Sequence, residues 1–377
     1  MTTYIDVHAL QTVPPSLVNR DDTGAPKTAT FGGFPRQRVS SQSWKRAIRR
    51  YFETHLDSSS VGFRTKYALE LIVNEVQRLA PDLPKGQAIE GAERVFKLAK
   101  IKLNDPKGTK LDGDDTSREK LKNTGYLLFL SPFQITNIAQ AVIDADESPI
   151  KAADAKRLLN SQHSIDIACF GRMVANNPGF NVDVDAAVQV AHALGIHEST
   201  PEFDYFTAVD DVVEDRDDTG AGMLGTVQMM SSTLYRFATI NVDALRENLG
   251  SSDAADTAIR AFLEAFVVSM PTGKQNTFAN NTLPELVYVA VRNDRSVSLV
   301  NAFEDPVVAT TEASRRVLGA QRMAQEESEI EKNYGFVPRA AFVVALNDLG
   351  EEFSGIATQT SLPDLYNSVL SATGKAE

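Results

Sequence analysis

The stretch "FPRQRVSSQSWKRAIRR", from Phe34 to Arg50, concentrates positive charge near the start of an acidic chain. No Asp or Glu occurs between Thr23 and Phe52, although the whole protein has a formal net charge of -12. The stretch is typical of a short strand followed by a helix. Ser40 or Ser41 would be the N-cap, because a hydroxyl can accept from the free N–H groups of the first turn.

The helix in this stretch is predicted to have one cationic and one apolar face. Successive residues are placed 100° apart. The cationic face then comprises Gln42, Lys45, Arg46, Arg49 and Arg50. The apolar face comprises Trp44, Ala47, Ile48, Tyr51 and Phe52, and would pack on a sheet.

Like charges four residues apart on this face repel by a few tenths of a kcal/mol, so they need counter-ions. Acidic residues elsewhere in the chain would serve, and so would phosphates. Arg36 and Arg38 share one face of the preceding strand and would extend the patch. The free N–H groups at the helix start also suit an anion. These residues alone do not decide between acidic side chains and phosphates as the counter-ions.

Composition excludes several classes of protein. The 377 residues are 42% hydrophobic and 23% charged, which is typical of a globular protein. One cysteine, Cys169, excludes an internal disulfide and fits a reducing cytoplasm. The first residues lack the features of a secretory signal, and no apolar run is long enough for a membrane span. A cytoplasmic location is therefore expected.

The pattern along the chain predicts an α+β fold. Alternation indicates a strand over Ile5–Ala9, and the Pro- and Asp-rich residues 13–28 indicate a loop. Periodic helical segments dominate residues 60–180, including one that begins with "RTKY" at Arg64. Residues 180–198 fit either a strand or a helix. A long hairpin around an acidic loop follows at about 200–240, and helices mix with strands in the C-terminal third.

The N-terminal residues resemble a known family. The run comprises Asn19-Arg20-Asp21-Asp22, Lys27, Phe31-Gly32-Gly33, Arg38, Ser40-Ser41-Gln42-Ser43, Lys45-Arg46 and Arg49. It is similar to the N-terminus of the backbone subunit (CasC family) of the type I-E CRISPR surveillance complex, Cascade. Further matching segments are "DIACFGRM", "DYFTAVDD", "LYRFATINVDALRENLG" and "PTGKQNTFA". The chain departs from the family pattern at Trp44, where an aliphatic residue is expected.

The resemblance implies a ferredoxin-like, RRM-type palm with a helical fingers insertion and a β-hairpin thumb. The expected boundaries are 1–57, 182–200 and 226–377 for the palm, 58–181 for the fingers and 201–225 for the thumb. It implies a non-catalytic, guide-RNA (crRNA)-binding subunit of prokaryotic antiviral defence, without a cofactor. Several copies would line one guide and display its bases to target DNA. The other expected partners are the large, small, 5′-end cap and RNA-processing subunits.

The resemblance also implies an RNA-binding site. Carried over residue by residue, the site comprises Arg20, Lys27, Arg38, Ser40, Gln42, Lys45, Arg46, Arg49, Arg172, Met173, Tyr205, Phe206, Lys274, Gln275 and Asn276. From sequence alone, Met173 fits a hydrophobic core equally well. Tyr205 and Phe206 could stack on bases, although aromatic residues at the start of a strand more often belong to a core. Lys274, Gln275 and Asn276 fit a polar turn as well as a phosphate-contacting loop.

The main alternative is a metal-dependent ribonuclease that acts on guide-paired target RNA. Related backbone subunits of other CRISPR types cut RNA with an Asp in an N-terminal loop, and Asp21 and Asp22 occupy such a loop here. Phosphodiester cleavage of this kind needs carboxylates that hold Mg²⁺. No zinc, EF-hand, P-loop or serine-nucleophile pattern is present.

Overall fold

The computed structural model describes residues 2–105, 121–146, 148–174, 182–208 and 223–374. The predicted acidic loop at 210–218 lies outside these residues. The strands are β1 (Tyr4–Ser16), β2 (Thr28–Phe31), β3 (Phe34–Val39), β4 (Phe63–Thr65), β5 (Leu103–Asn104), β6 (Asn123–Thr124), β7 (Leu128–Leu130), β8 (Val188–Val190), β9 (Ala193–Gly195), β10 (Glu202–Ala208), β11 (Met223–Asn241), β12 (Leu286–Arg292), β13 (Ala340–Ala345) and β14 (Thr358–Gln359).

The helices confirm the mixed α+β class. They are α1 (Ser41–His55), α2 (Ala68–Leu79), α3 (Lys85–Leu98), α4 (Pro132–Ile143), α5 (Ala152–Leu159), α6 (Ile165–Phe170), α7 (Val242–Leu249), α8 (Ser252–Val268), α9 (Gln275–Phe278), α10 (Arg315–Tyr334) and α11 (Leu362–Thr373). No helix in the described ranges is long and apolar enough to cross a membrane.

The chain divides into two compact units. Unit 1 comprises residues 1–51, 189–242 and 259–377, and unit 2 comprises residues 52–188 and 243–258. The predicted fingers, 58–181, fall within unit 2. Residues 243–258, which the sequence assigned to the palm, group with unit 2 as well. Asn248 explains this grouping, because its side-chain amide donates to the carbonyls of Ala168 and Asp185 at 3.1 and 2.9 Å.

Unit 1 is built on one large sheet. Its strand order is β14-β13-β12-β1-β11-β9-β3-β2, with β8 and β10 also paired to β11. β1 pairs antiparallel with both β11 and β12, and β11 pairs antiparallel with β9. Every residue of β12 is buried, as expected for a central strand covered on both faces. Residues 180–198, which fit either a strand or a helix, contribute the short strands β8 and β9.

The first strand is longer than the sequence predicts. β1 continues to Ser16, whereas residues from Val13 onward were expected to form a loop. The pairing register with β11 shifts between Val13 and Ser16. Pro14 and Pro15 lie at the shift, and a bulge accommodates them because proline cannot donate to the ladder.

Unit 2 contains its own helical core, formed mainly by α2, α3, α4 and α5. The predicted Ser131-Pro132 helix start is confirmed by a capping box. Ser131 Oγ accepts from Gln134 N at 3.1 Å, and Gln134 Oε1 accepts from Ser131 N at 3.0 Å. The prediction was wrong at "RTKY", where β4 pairs with β7 and the helix begins only at Ala68.

Candidate nucleic-acid interface

Helix α1 has the two faces that the sequence predicts. Trp44, Ile48 and Phe52 are buried, whereas Gln42 and Arg46 are exposed. Trp44 packs with Val13, Val39 and other core residues of unit 1. The helix is therefore anchored to the sheet by its apolar face, which leaves its cations on the outside.

A groove of about 620 Å³ lies beside α1 in unit 1. Four cations line it: Arg20 from the loop after β1, Arg46 and Arg50 from α1, and Lys274 from the loop before α9. No carboxylate is found among the described residues that line the groove. The groove therefore brings three predicted RNA-binding residues together with Arg50. The predicted site omitted Arg50, although the helical projection had placed it on the cationic face four residues after Arg46.

Gly273 fixes the position of the Lys274 loop. A Cβ atom built on Gly273 would lie 2.1 Å from the carbonyl oxygen of Val18. Any larger residue would push the loop away from the chain that carries Arg20. Lys274 itself has φ of 49°, a left-handed conformation that turns the chain into α9. The wall of the groove thus depends on close backbone contact.

Two further predicted RNA-binding residues, Lys27 and Arg38, lie near His192 at the start of α1. His192 Nδ1 accepts from Ser41 N at 2.9 Å, so this ring nitrogen carries no proton. Burial lowers the pKa of His192, and the nearby charges of Arg38 and Lys27 lower it further. The group is a second cationic surface with a neutral histidine at its centre.

The N–H groups at this helix start are less available to an anion than the sequence suggested. Ser40 N donates to Asn19 Oδ1 at 2.9 Å, and Ser41 N donates to His192. Ser40 is itself buried, and its hydroxyl accepts weakly from Ser43 N at 3.4 Å. Ser40 is therefore the N-cap of α1.

The other predicted RNA-binding residues near α1 and α9 do not line the groove, and they are exposed to different degrees. Lys45 is half-buried, and this burial lowers its pKa. Arg49 is half-buried and Asn276 is exposed. Gln275 Nε2 donates to Asn281 Oδ1 at 2.6 Å, which braces the loop around α9.

Arg36 does not extend the cationic patch. Its side chain is fully buried in unit 1. The guanidinium donates to the carbonyls of Gly195 at 3.1 Å and Glu304 at 2.8 Å. The interpretation that Arg36 extends the patch was wrong, because its guanidinium is buried and donates to backbone carbonyls of unit 1.

Arg172 is also a structural residue. It is only 4% exposed, and its guanidinium donates to the carbonyls of Val182 at 2.7 Å and Leu159 at 2.7 Å, with a longer contact to Phe129 O. Burial lowers its pKa to about 10. The prediction of a nucleic-acid contact at Arg172 does not fit this geometry, because its donors are directed at the backbone of unit 2.

The predicted apolar contacts are exposed. Met173 is 78% exposed on unit 2, and Tyr205 is 63% exposed on β10 of unit 1. Phe206 is 44% exposed, and its ring covers Gly225, where a Cβ would lie 2.4 Å from the ring. The alternative that these residues belong to a core was wrong. They are available for contact with bases.

Asp21 closes a turn. Its Oδ1 accepts from Thr23 Oγ1 at 2.7 Å, from Thr23 N at 2.9 Å and from Ala25 N at 3.0 Å. The hydrogen bond from the Thr23 hydroxyl is the largest cause of its lowered pKa. Across the described ranges, no three His, Cys, Asp or Glu side chains are grouped so that they could hold a metal ion.

Comparisons with known proteins identify the family of this chain. A chain of a solved structure titled "CRISPR RNA-guided surveillance complex, pre-nicking" is 32% identical, with a TM-score of 0.77 over 98% of this chain and 100% of that chain. Another, titled "CRISPR RNA-guided surveillance complex", is 27% identical, with a TM-score of 0.71 over 98% and 99%. A comparison with curated proteins gave no match. The family model described as "CT1975-like protein" matches residues 5–368, and the chain belongs to this family of Cas proteins.

Proposed function

We propose that this chain is the guide-RNA-binding backbone subunit of a type I-E CRISPR surveillance complex. The observation that carries the proposal is the groove beside α1, where Arg20, Arg46, Arg50 and Lys274 converge without a lining carboxylate. The similarity to chains of RNA-guided surveillance complexes supports guide RNA as the polyanion. The type I-E assignment rests on the N-terminal residue run from Asn19 to Arg49.

The palm of this subunit is a ferredoxin-like, RRM-type unit. Its support is the order β1-α1-β9-β11-α8-β12 along the chain, together with the antiparallel sheet order β12-β1-β11-β9. This order matches the β-α-β-β-α-β arrangement when α1 is taken as the helix of the first crossover and α8 as the helix of the second. Unit 2 corresponds to the fingers, and the paired strands β10 and β11 correspond to the base of the thumb.

Binding in the groove is independent of sequence. Arginine and lysine side chains on a helix contact phosphate oxygens, which position the nucleic acid without reading its bases. Bases held in this way stay free to pair with a target DNA strand. In the proposed complex, several copies of the subunit line one guide, together with the large, small, 5′-end cap and RNA-processing subunits.

The subunit is non-catalytic in this proposal. Asp21 is used by the turn over residues 21–25, which supports a structural role for this carboxylate. Incubation of the assembled complex with complementary labelled RNA, in Mg²⁺ and in EDTA, tests this part. Cuts that need Mg²⁺ and recur at regular spacing would contradict it.

The groove is tested by the double variant Arg46→Ala/Arg50→Ala. We expect weaker binding to single-stranded RNA and a salt dependence reduced by about 1.4 in the slope of log K against log salt, because two phosphate contacts are lost. Fluorescence anisotropy over a salt series measures both quantities. The matched control is Lys156→Ala/Arg157→Ala, which removes two exposed cations from α5. Equal affinity and slope in the two variants would place the guide elsewhere.

A further inference from the structure

A short strand in unit 2 and the turn that follows it expose two aromatic and two basic side chains. The sequence "FRTKY", residues 63–67, contains β4 and the turn before α2. Phe63 is 48% exposed and Tyr67 is 61% exposed, and both Arg64 and Lys66 are exposed between them. Exposed apolar patches mark interaction sites, and here two aromatic residues and two cations are exposed within five positions.

The backbone of this segment is held firmly although its side chains are exposed. β4 pairs with β7, a strand buried along its whole length. Gly62 N donates to Asp166 Oδ1 at 2.9 Å, and Lys66 O accepts from Thr124 N at 2.9 Å. Tyr67 N donates to Thr65 Oγ1 at 3.0 Å. The exposed side chains are therefore presented from a fixed position, which lowers the entropic cost of binding.

The charge of the segment is uncompensated locally. No acidic residue occurs from Ser58 to Leu69, although the protein as a whole is acidic. Within the described part of the chain, Arg64 and Lys66 have no ion-pair partner, whereas Arg78 and Lys122 of the same unit pair with glutamates. The described residues thus supply no salt bridge to Arg64 or Lys66, which favours a partner that carries negative charge.

Among the described residues, the surroundings of this segment include an unpaired strand edge and another exposed aromatic residue. β4 and β7 form a two-stranded sheet in the described residues, so β4 is an edge strand. Phe133, at the start of α4, is 51% exposed and follows three residues after Leu130, the pairing partner of Phe63. A third exposed aromatic side chain thus lies close in sequence to the pairing partner of Phe63.

We infer that the Phe63–Tyr67 segment is a second binding site, for single-stranded nucleic acid. Single-stranded nucleic acid has both features that a partner of this segment needs. Its phosphates carry negative charge, and its bases can stack on exposed aromatic rings. An acidic protein surface would match the cations but would leave Phe63 and Tyr67 without a stacking partner. This site goes beyond the proposed function, which requires only the groove of unit 1.

The test uses the full-length chain in a background with the groove disabled by Arg46→Ala/Arg50→Ala. The double variant Arg64→Ala/Lys66→Ala removes the cations, and Tyr67→Ala and Tyr67→Phe separate stacking from the hydroxyl. The control is Arg94→Ala/Lys97→Ala, which removes two exposed cations from α3. Anisotropy with labelled oligo(dT) and oligo(U) measures binding, and circular dichroism checks the fold of each variant.

We expect Arg64→Ala/Lys66→Ala to lower the salt slope by about 1.4. Tyr67→Ala should weaken binding by about tenfold, and Tyr67→Phe should preserve it. If the Arg64→Ala/Lys66→Ala and Tyr67→Ala variants bind both oligo(dT) and oligo(U) more weakly, the site is supported. If they bind only one of the two probes more weakly, that probe identifies the ligand as DNA or RNA. Binding equal to that of the control overturns the inference. A change in self-association by light scattering, with unchanged binding, also overturns it and assigns the segment to a protein contact. Because the groove is already disabled, a failure of the proposed function does not affect this result.

Discussion

The guanidinium carbon of Arg236 lies 3.7 Å from the centroid of the Trp44 ring, in the core beneath α1. The Phe266 ring also faces this guanidinium, at 4.4 Å. Arg236 Nη1 donates to Gln11 Oε1 at 2.6 Å, and Gln11 Nε2 donates to Thr282 O at 2.8 Å. This buried network links the basic helix to the loop region that follows α9. Burial lowers the pKa of Arg236 to about 9, which leaves it charged at neutral pH.

Trp44 therefore stabilises the helix that carries the groove cations. Trp44→Ala should lower the free energy of unfolding by about 3–5 kcal/mol, because it leaves a cavity and removes the cation–π contact of Arg236. Urea denaturation followed by far-UV circular dichroism measures the change. Gln42→Ala on the exposed face is the control, with an expected effect within about 0.5 kcal/mol. Equal effects of the two substitutions would contradict the anchoring role.

Gly273 is expected to be essential for the shape of the groove. Gly273→Ala places a methyl group against the Val18 carbonyl, which should destabilise the protein by about 1–3 kcal/mol and weaken RNA binding. The control is Gly86→Ala in α3, where a Cβ meets nothing within 4 Å. Thermal unfolding and RNA anisotropy measure the two effects. If Gly273→Ala bound RNA like the wild type, the Lys274 loop would not form part of the site.

Arg172 is expected to affect stability and not RNA affinity. Arg172→Lys keeps the charge but cannot reproduce the planar set of donors to the Val182, Leu159 and Phe129 carbonyls. We expect a loss of about 3 kcal/mol in the free energy of unfolding, since buried carbonyls lose their donors. The folded fraction should bind RNA within about twofold of the wild type. A large loss of affinity without a loss of stability would restore Arg172 as a contact residue.

Stability is expected to fall in mild acid, in part because of His163. Burial is the main cause that lowers its pKa from 6.5 to about 4, and the charge of Arg172 adds to the effect. Between these two pH values the unfolded chain binds a proton that the folded chain does not, so stability decreases as pH falls through this window.

The variant His163→Asn isolates this contribution. Its side-chain oxygen can still accept from Gln134 Nε2, which lies 3.0 Å from His163 Nδ1, but it cannot titrate. We expect a shallower decrease in the free energy of unfolding between pH 6.5 and 4 than in the wild type. A decrease remains, because burial lowers the pKa of His8 as well. His55→Asn, at an exposed position, is the control, and equal slopes in all three proteins would exclude His163.

The local pattern of residue types was sufficient to predict several elements of the fold. The cationic and apolar faces of α1 follow from 100° per residue, and the α4 start follows from Ser131 and Pro132. Both depend on neighbours within one or two turns. The prediction failed where short-range pattern competes with pairing, as at Val13–Ser16 and at Arg64, because a partner strand distant in sequence decides those conformations.

By itself, the sequence determined that the chain is α+β and that one helix near its N-terminus carries a cationic face. Only the tertiary structure decided which cations are available. Arg36 and Arg172 look like surface arginines in sequence, yet each is buried against backbone carbonyls from distant segments. Arg50 and Lys274 are 224 positions apart and line one groove. The physical reason is that a charge is buried or exposed according to the packing around it, which local periodicity does not encode.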